Sequence, residues 1–180
     1  MEKPSTYCDY VSGLAKNNIN RIYHDTQYGF PVTCDNELFG RLILEINQAG
    51  LSWTTILNKQ ENFRKAFSNF NITKIASFKE KQIAELLNNK GIIRNKLKIN
   101  AVIYNANQVI ALQKEHGSFK KWLDKNHPNS LPYWVKIFKQ TFKFTGGEIT
   151  REFLTSTGYL KGAHIPSCPI YQKLLAVNNP

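Results

Sequence analysis

The stretch Asp35-Asn36-Glu37-Leu38-Phe39-Gly40-Arg41-Leu42-Ile43-Leu44-Glu45-Ile46-Asn47-Gln48-Ala49-Gly50-Leu51-Ser52-Trp53 decides how the rest of the chain is read. Leu38, Phe39, Leu42, Ile43 and Ile46 recur at three- and four-residue spacing, which draws one apolar stripe on a helix with Asp35 as its N-cap. Gly50 closes that helix. A second helix follows almost at once, with Trp53, Ile56, Leu57, Phe63 and Phe67 on its inner side. The two meet at a tight corner that bears Leu51 and Trp53.

The same periodicity continues outward. Ser77 and Glu80 have capping-box spacing and open a helix through Ile83, Leu86 and Leu87, ended by Asn88-Asn89-Lys90-Gly91. A long helix is predicted over about 94–115 through Leu97, Ala101, Tyr104 and Ile110. Shorter ones are predicted near 118–125 and 132–140, separated by His127-Pro128-Asn129-Ser130. Phe144-Thr145-Gly146-Gly147 then turns into a helix that ends at Gly158. With no alternating strand, internal repeat or low-complexity linker, the expected fold is all-α, one domain over residues 1–180 in two helical lobes.

Composition narrows the class. The chain has 180 residues, 42% of them hydrophobic, and only three cysteines. That is enough to fill a core and too few cysteines for a secreted disulfide scaffold. Met1 to Thr6 has no apolar stretch behind it, and no run approaches the ~20 apolar residues of a membrane span. A cytoplasmic monomer with no membrane attachment is expected. The net charge is +11. Residues 1–58 hold four basic and six acidic groups, whereas 59–100 hold ten and three, and 114–143 seven and two. A basic middle behind an acidic front is the footprint of a polyanionic partner, or else a lysine-rich solvated surface.

Several residues could carry chemistry. Glu45 falls at the edge of the apolar stripe, where a carboxylate is partly desolvated or else snorkels to water. Leu51 at the corner is either buried or an apolar wedge of the kind that opens a base step. Tyr23, Tyr28 and Trp53, with Tyr7 and Tyr10, offer flat faces that could sandwich an extracted nucleobase, although isolated aromatics are usually core. Cys8, His24, His164 and Cys168 form a zinc-compatible donor set without a Cys-x2-Cys anchor. Cys34 reads as a spare thiol, and His116 and His127 as surface residues. In Lys143-Phe144-Thr145-Gly146-Gly147 the two glycines would let backbone N–H groups approach a phosphate at a helix N-terminus, or simply make a turn.

Taken together, these residues resemble the bacterial 3-methyladenine DNA glycosylase I family. The likeness runs through Tyr23-His24-Asp25, Gly29 and Pro31, then Leu44-Glu45 and Gln48-Ala49-Gly50-Leu51-Ser52-Trp53. It continues in Gly91-Ile92-Ile93-Arg94, Phe142-Lys143-Phe144-Thr145-Gly146 and His164-x3-Cys168. The Gln-Ala-Gly-Leu-Ser-Trp block is its most specific part. The chain departs from the family pattern at Asn20, at Tyr28 and at Gly147-Glu148, and between His127 and Lys143 it is shorter.

The resemblance implies a helix-hairpin-helix glycosylase whose hairpin, Phe142 to Glu148, grips DNA through Lys143, Gly146 and Gly147. It implies one structural zinc on Cys8, His24, His164 and Cys168, joining the termini. Glu45 would be the carboxylate that binds the methylated adenine, Tyr23, Tyr28 and Trp53 the stacking residues, and Leu51 the side chain at the lesion gap. The implied partner is double-stranded DNA carrying alkylated bases. The implied reaction is hydrolysis of the 3-methyladenine N-glycosidic bond to leave an abasic site, without strand cleavage. A lesion-binding module of the same fold without turnover is the alternative, and a basic all-α binder of RNA or protein a more distant one.

Overall fold

The computed structural model describes residues 5–178. Among the described residues there are eleven α-helices, one short 3-10 turn and no strand. Among the described residues no helix is long and apolar enough to cross a membrane. The chain divides into two compact units, one of residues up to Val32 together with those from Leu154 on, the other of Thr33–Phe153.

The larger unit begins with α3 (Asp35–Gln48) and α4 (Trp53–Ala66), continues through α5 (Ile72–Ala76), α6 (Glu80–Asn88), α7 (Lys96–His116), α8 (Phe119–Asn126) and α9 (Leu131–Thr141), and enters α10 (Gly147–Ser156). The 21-residue α7 is its spine and packs on α3, α5, α6 and α8. Local chemistry sets its ends: the Asn95 side chain accepts the Leu97 and Lys98 N–H groups, and Gly117 closes it at φ +88°. Phe119, Trp122, Trp134, Phe138, Phe142 and Phe153 interlock with ring centroids 5.4–6.4 Å apart.

The smaller unit brings α1 (Tyr7–Ser12), α2 (Ile19–Thr26) and α11 (Pro169–Asn178) together with residues 154–168. Gly29 at φ +81° donates its N–H to the Ser156 carbonyl at 2.9 Å. An added Cβ at Gly29 would meet Ala163 Cβ at 2.6 Å, so the close approach there requires glycine.

Two predicted caps are corrected. Asp35 is the first helical residue of α3, preceded by Cys34 in the cap position. Its carboxylate accepts instead from Gln113 Nε2 and from the Phe119 and Lys120 N–H groups, at 2.7, 2.8 and 3.0 Å, and thereby caps α8. Ser77 donates to the Lys74 carbonyl at the end of α5, while α6 starts after Lys79, whose N–H goes to Gln82 Oε1. In both cases the cap lies at another residue and the predicted side chain meets a different orphan group.

Gly40, inside α3, lies flat against the Phe70 ring, and an added Cβ would meet Phe70 Cγ at 2.8 Å. Phe70 is held there by a left-handed turn in which Ser68, Asn69 and Phe70 have φ of 51°, 57° and 59°. Gly40→Ala would gain ~1 kcal/mol in helix propensity but overpack a fully buried ring at a cost of ~1–3 kcal/mol or more. The collision should win. A urea melt is expected to show Gly40→Ala less stable than wild type by ~1–2 kcal/mol, and a stabilised variant would contradict this packing.

Candidate functional site

In the larger unit the candidate residues gather at the α3–α4 corner. Nine of the fourteen residues of α3 are buried, Glu45 among them at 4% exposure. Burial, and next the negative charge of Glu152 on α10, push the Glu45 carboxyl up to about 8, against a smaller downward pull from Arg41 one turn earlier. Glu45 is therefore a neutral acid at pH 7 in the free protein. A cation placed against it would draw out its proton.

The chain leaves α3 through a tight turn. Gly50 has φ +81°, the Leu51 N–H donates to the Gln48 carbonyl at 2.7 Å, and Gln48 Nε2 donates to the Leu51 carbonyl at 3.1 Å. This turn holds the Leu51 side chain out, 39% exposed. Ser52 then caps α4 by accepting the Thr55 N–H, and Trp53, half-buried, is the first residue of α4. The last turn of α3 contains no basic residue. The buried Lys98 of α7 supplies the charge instead, donating from Nζ to the Asn47 and Ala49 carbonyls at 2.9 and 2.8 Å. Sequence spacing gave no hint of Lys98, because its partners are some fifty positions away.

The turn after α9 lies in the same unit. Phe144 has φ +60° and is exposed, while the buried Thr145 hydroxyl donates to the Phe138 or Phe142 carbonyl. The Asn105 side chain fastens the turn from both sides, accepting the Lys143 N–H at 2.8 Å and donating to the Lys143 carbonyl at 3.0 Å. Lys143 Nζ stands 4.2 Å over the Tyr104 ring. Gly146 and Gly147 are exposed, and an added Cβ at either would meet nothing within 4 Å. Packing does not demand glycine at these two positions, which leaves open backbone at the start of α10.

In the smaller unit Cys8, His24, His164 and Cys168 are all buried, and their four ligand atoms lie within 4.8 Å of one another. His24 Nε2 is 3.4 Å from Cys8 Sγ and 3.8 Å from Cys168 Sγ, and His164 Nδ1 is 3.7 and 3.5 Å from the same sulfurs. The outer nitrogens are also engaged. His24 Nδ1 is 2.7 Å from Asp25 Oδ1 and His164 Nε2 is 2.8 Å from the Tyr28 carbonyl. With those nitrogens donating, each imidazole turns a lone pair toward the sulfurs. Burial pushes the Cys8 thiol up and pulls His164 down. Asp25 was not singled out from sequence, although its place beside His24 was the available signal.

Tyr23, buried, and Tyr28, half-buried, are in this unit too, with ring centroids 5.8 Å apart. Tyr28 packs edge-on to Tyr7 and to His164. The Tyr7 hydroxyl reaches the Asn20 carbonyl at 3.1 Å, and burial, then Tyr10, raises its pKa. Cys34 and His127 are exposed as expected, whereas His116 is half-buried beside Glu115.

Comparison with known proteins converges on one family. Residues 14–132 match the family described as methyladenine glycosylase. The chain is 32% identical to DNA-3-methyladenine glycosylase 1 of Escherichia coli strain K12, over 91% of this chain and 96% of that protein. It is also 32% identical to a DNA-3-methyladenine glycosylase of Haemophilus influenzae, over 92% and 97%. A crystal structure of 3-methyladenine DNA glycosylase I superposes with a TM-score of 0.77 at 32% identity, covering 87% of this chain and 96% of that one. A Tyr-to-Phe variant of such an enzyme in complex with 3-methyladenine gives 0.80 at 29% identity, covering 87% and 94%. With the family match spanning most of the sequence and full-length relatives at this identity, the chain belongs to the methyladenine glycosylase family.

Proposed function

We propose that this protein is a monofunctional DNA-repair glycosylase that hydrolyses the N-glycosidic bond of 3-methyladenine in alkylated duplex DNA and leaves an abasic site. The observation that carries the reading is Glu45, a buried, neutral carboxyl in the last turn of α3, six residues before the exposed Leu51. An adenine methylated at N3 is a cation while still attached to deoxyribose, so its glycosidic bond is weak without protonation of the leaving group. Glu45 binds and orients that cationic base, and gives up its proton to solvent as the base enters. Trp53, Tyr23 and Tyr28 are the stacking side chains, and Leu51 fills the gap left in the duplex. Water adds at C1′ of the sugar, the bonding pair goes to the base, and neutral 3-methyladenine leaves with one proton released to solvent.

The turn Phe142–Glu148 is the helix-hairpin-helix element in this reading. Its open backbone and Lys143 hold a DNA phosphate, and the two units act together as one glycosylase domain over the whole chain. The Cys8–His24–His164–Cys168 set fits zinc. Tetrahedral zinc with Zn–S near 2.3 Å and Zn–N near 2.05 Å needs S···N separations of about 3.6 Å. The four separations here are 3.4–3.8 Å. Bound zinc would cross-link residues far apart in sequence, with all four positions taken by protein and a structural role only. Asp25 and the Tyr28 carbonyl fix the imidazole tautomers for it.

The first test is release of free base from methylated duplex DNA. 3-Methyladenine is expected and 7-methylguanine is not, while lesion binding without release would mean a sensor and not an enzyme. Glu45→Gln is expected to lower kcat/KM by ~100-fold or more. Below about 8 the wild-type kcat/KM should rise with pH as Glu45 ionises, and the variant should lose that slope.

Stability should move the other way. Glu45 titrates near 4.5 in the unfolded chain and about 8 in the folded one, so its contribution is full below 4.5 and is lost as pH rises to 8. Glu45→Gln should therefore be the more stable protein at pH 7, by about 3 kcal/mol or ~6–12 °C in Tm, with the gap closing toward pH 4.5. A Tm gap that does not change with pH would contradict the buried acid.

Elemental analysis is expected to find one zinc per chain, and Cys168→Ser should lower Tm by ~10 °C or more and lose the metal. Folded, metal-free protein with an unchanged Tm would remove zinc from the reading. Gly147→Ala should leave Tm within ~2 °C while weakening duplex binding ~10-fold, and unchanged binding would contradict the phosphate role of the turn.

A further inference from the structure

Beside Leu51 the larger unit has an open groove of about 590 Å³, whose titratable lining residues, Lys59, Lys90 and Arg94, are all cationic. Leu87 and Ile92 supply apolar wall. No carboxylate lines it, and between Glu85 and Glu115 the sequence has no acidic residue, while Lys90, Arg94, Lys96, Lys98 and Lys114 are basic.

The cations of the groove differ from others on the molecule. Arg21, Arg64, Lys120 and Arg151 each have a carboxylate within 4.0 Å. Lys90 and Arg94 are exposed and have no carboxylate partner among the described residues. Lys59 reaches across from α4 and donates to the Lys90 and Gly91 carbonyls at 3.1 and 3.4 Å, which anchors the α6–α7 loop that carries both. That loop is also seated tightly, because an added Cβ at Gly91 would meet Asn62 Cβ at 3.1 Å. The two free charges therefore stand on a fixed loop and not on a loose one.

An apolar side chain that enters a base step bends the duplex and brings its backbone down on the protein surface next to the wedge. A concave surface of one sign of charge raises the local concentration of the opposite charge. We propose that this groove is a second phosphate-binding surface, apart from the Phe142–Glu148 turn, and that Lys90 and Arg94 hold the DNA phosphodiester backbone beside the step opened by Leu51. The inference rests on the reading of duplex DNA as substrate. Its role is positioning: the backbone contacts set the register in which Leu51 meets the helix, and they carry no sequence information.

The test compares Lys90→Ala/Arg94→Ala with Lys79→Ala/Lys81→Ala, a pair on and beside α6 outside the groove that removes the same charge. The probe is a fluorescent duplex with a stable abasic-site analogue, titrated over a range of KCl concentrations. Removing two phosphate contacts should reduce the slope of log K against log salt by ~1–2 and weaken binding about tenfold near 0.1 M salt. The KM for methylated duplex should rise in step, and affinity for free 3-methyladenine, read by tryptophan fluorescence, should hold. The control pair should change the slope by less than half as much. Equal effects of the two pairs, or no effect of Lys90→Ala/Arg94→Ala beside an active wild type, would overturn the surface alone. A wild-type protein that releases no base would overturn the functional reading itself, and the phosphate surface with it.

Discussion

A helix buried along most of its length is positioned by what its two ends exchange with neighbouring helices, and α3 is tied at both. At its C-terminus the Lys98 ammonium donates to the Asn47 and Ala49 carbonyls. At its N-terminus the Asp35 carboxylate takes up the Phe119 and Lys120 N–H groups and the Gln113 amide. Loss of either would strand buried polar groups at a cost of ~1–3 kcal/mol each. These contacts fix α3 against α7 and α8, and so fix the segment that carries Glu45 and ends in the Leu51 turn. Burial in that fixed helix is what holds the acid neutral.

The smaller unit solves a different problem. Its helices are short, its apolar cluster of Cys8, Cys168, Ile170 and Leu174 is small, and its chain comes from both ends of the sequence. Small cores of this kind commonly need a staple. Two thiols and two imidazoles, with tautomers already oriented by Asp25 and the Tyr28 carbonyl, supply the donors for one.

Much of this was legible in the sequence where the signal is local. The α3–α4 corner, the spine helix α7 and the break before α9 follow from apolar spacing, from Gly50 and from His127-Pro128-Asn129-Ser130. The tetrad was legible only as a donor set, since nothing in the spacing of Cys8 and His24 says that residues 164 and 168 will join them. Asp35 shows why caps mislead: a carboxylate ahead of an apolar stripe has the signature of a local cap, and which N–H groups it meets is decided by tertiary packing. Lys98 left no trace, because a lysine on a helix surface looks the same whether it faces water or another helix's carbonyls. Glu45 was visible as a carboxylate at the edge of the stripe. The depth of its burial and the like charge of Glu152 were not.

The Gly40–Phe70 contact makes those two positions historically dependent on each other. A larger residue at 40 is tolerable only after the ring at 70 has shrunk, and a smaller residue at 70 leaves a void that only a larger residue at 40 can fill. Each single step passes through either a clash or a cavity, so their effects on stability should be far from additive. The left-handed turn that presents Phe70 deepens the dependence, because its strain is tolerated only while the ring has a flat surface to press on. Drift in this lineage should therefore preserve or replace the pair as a unit, and chains that have changed one position are expected to have changed the other.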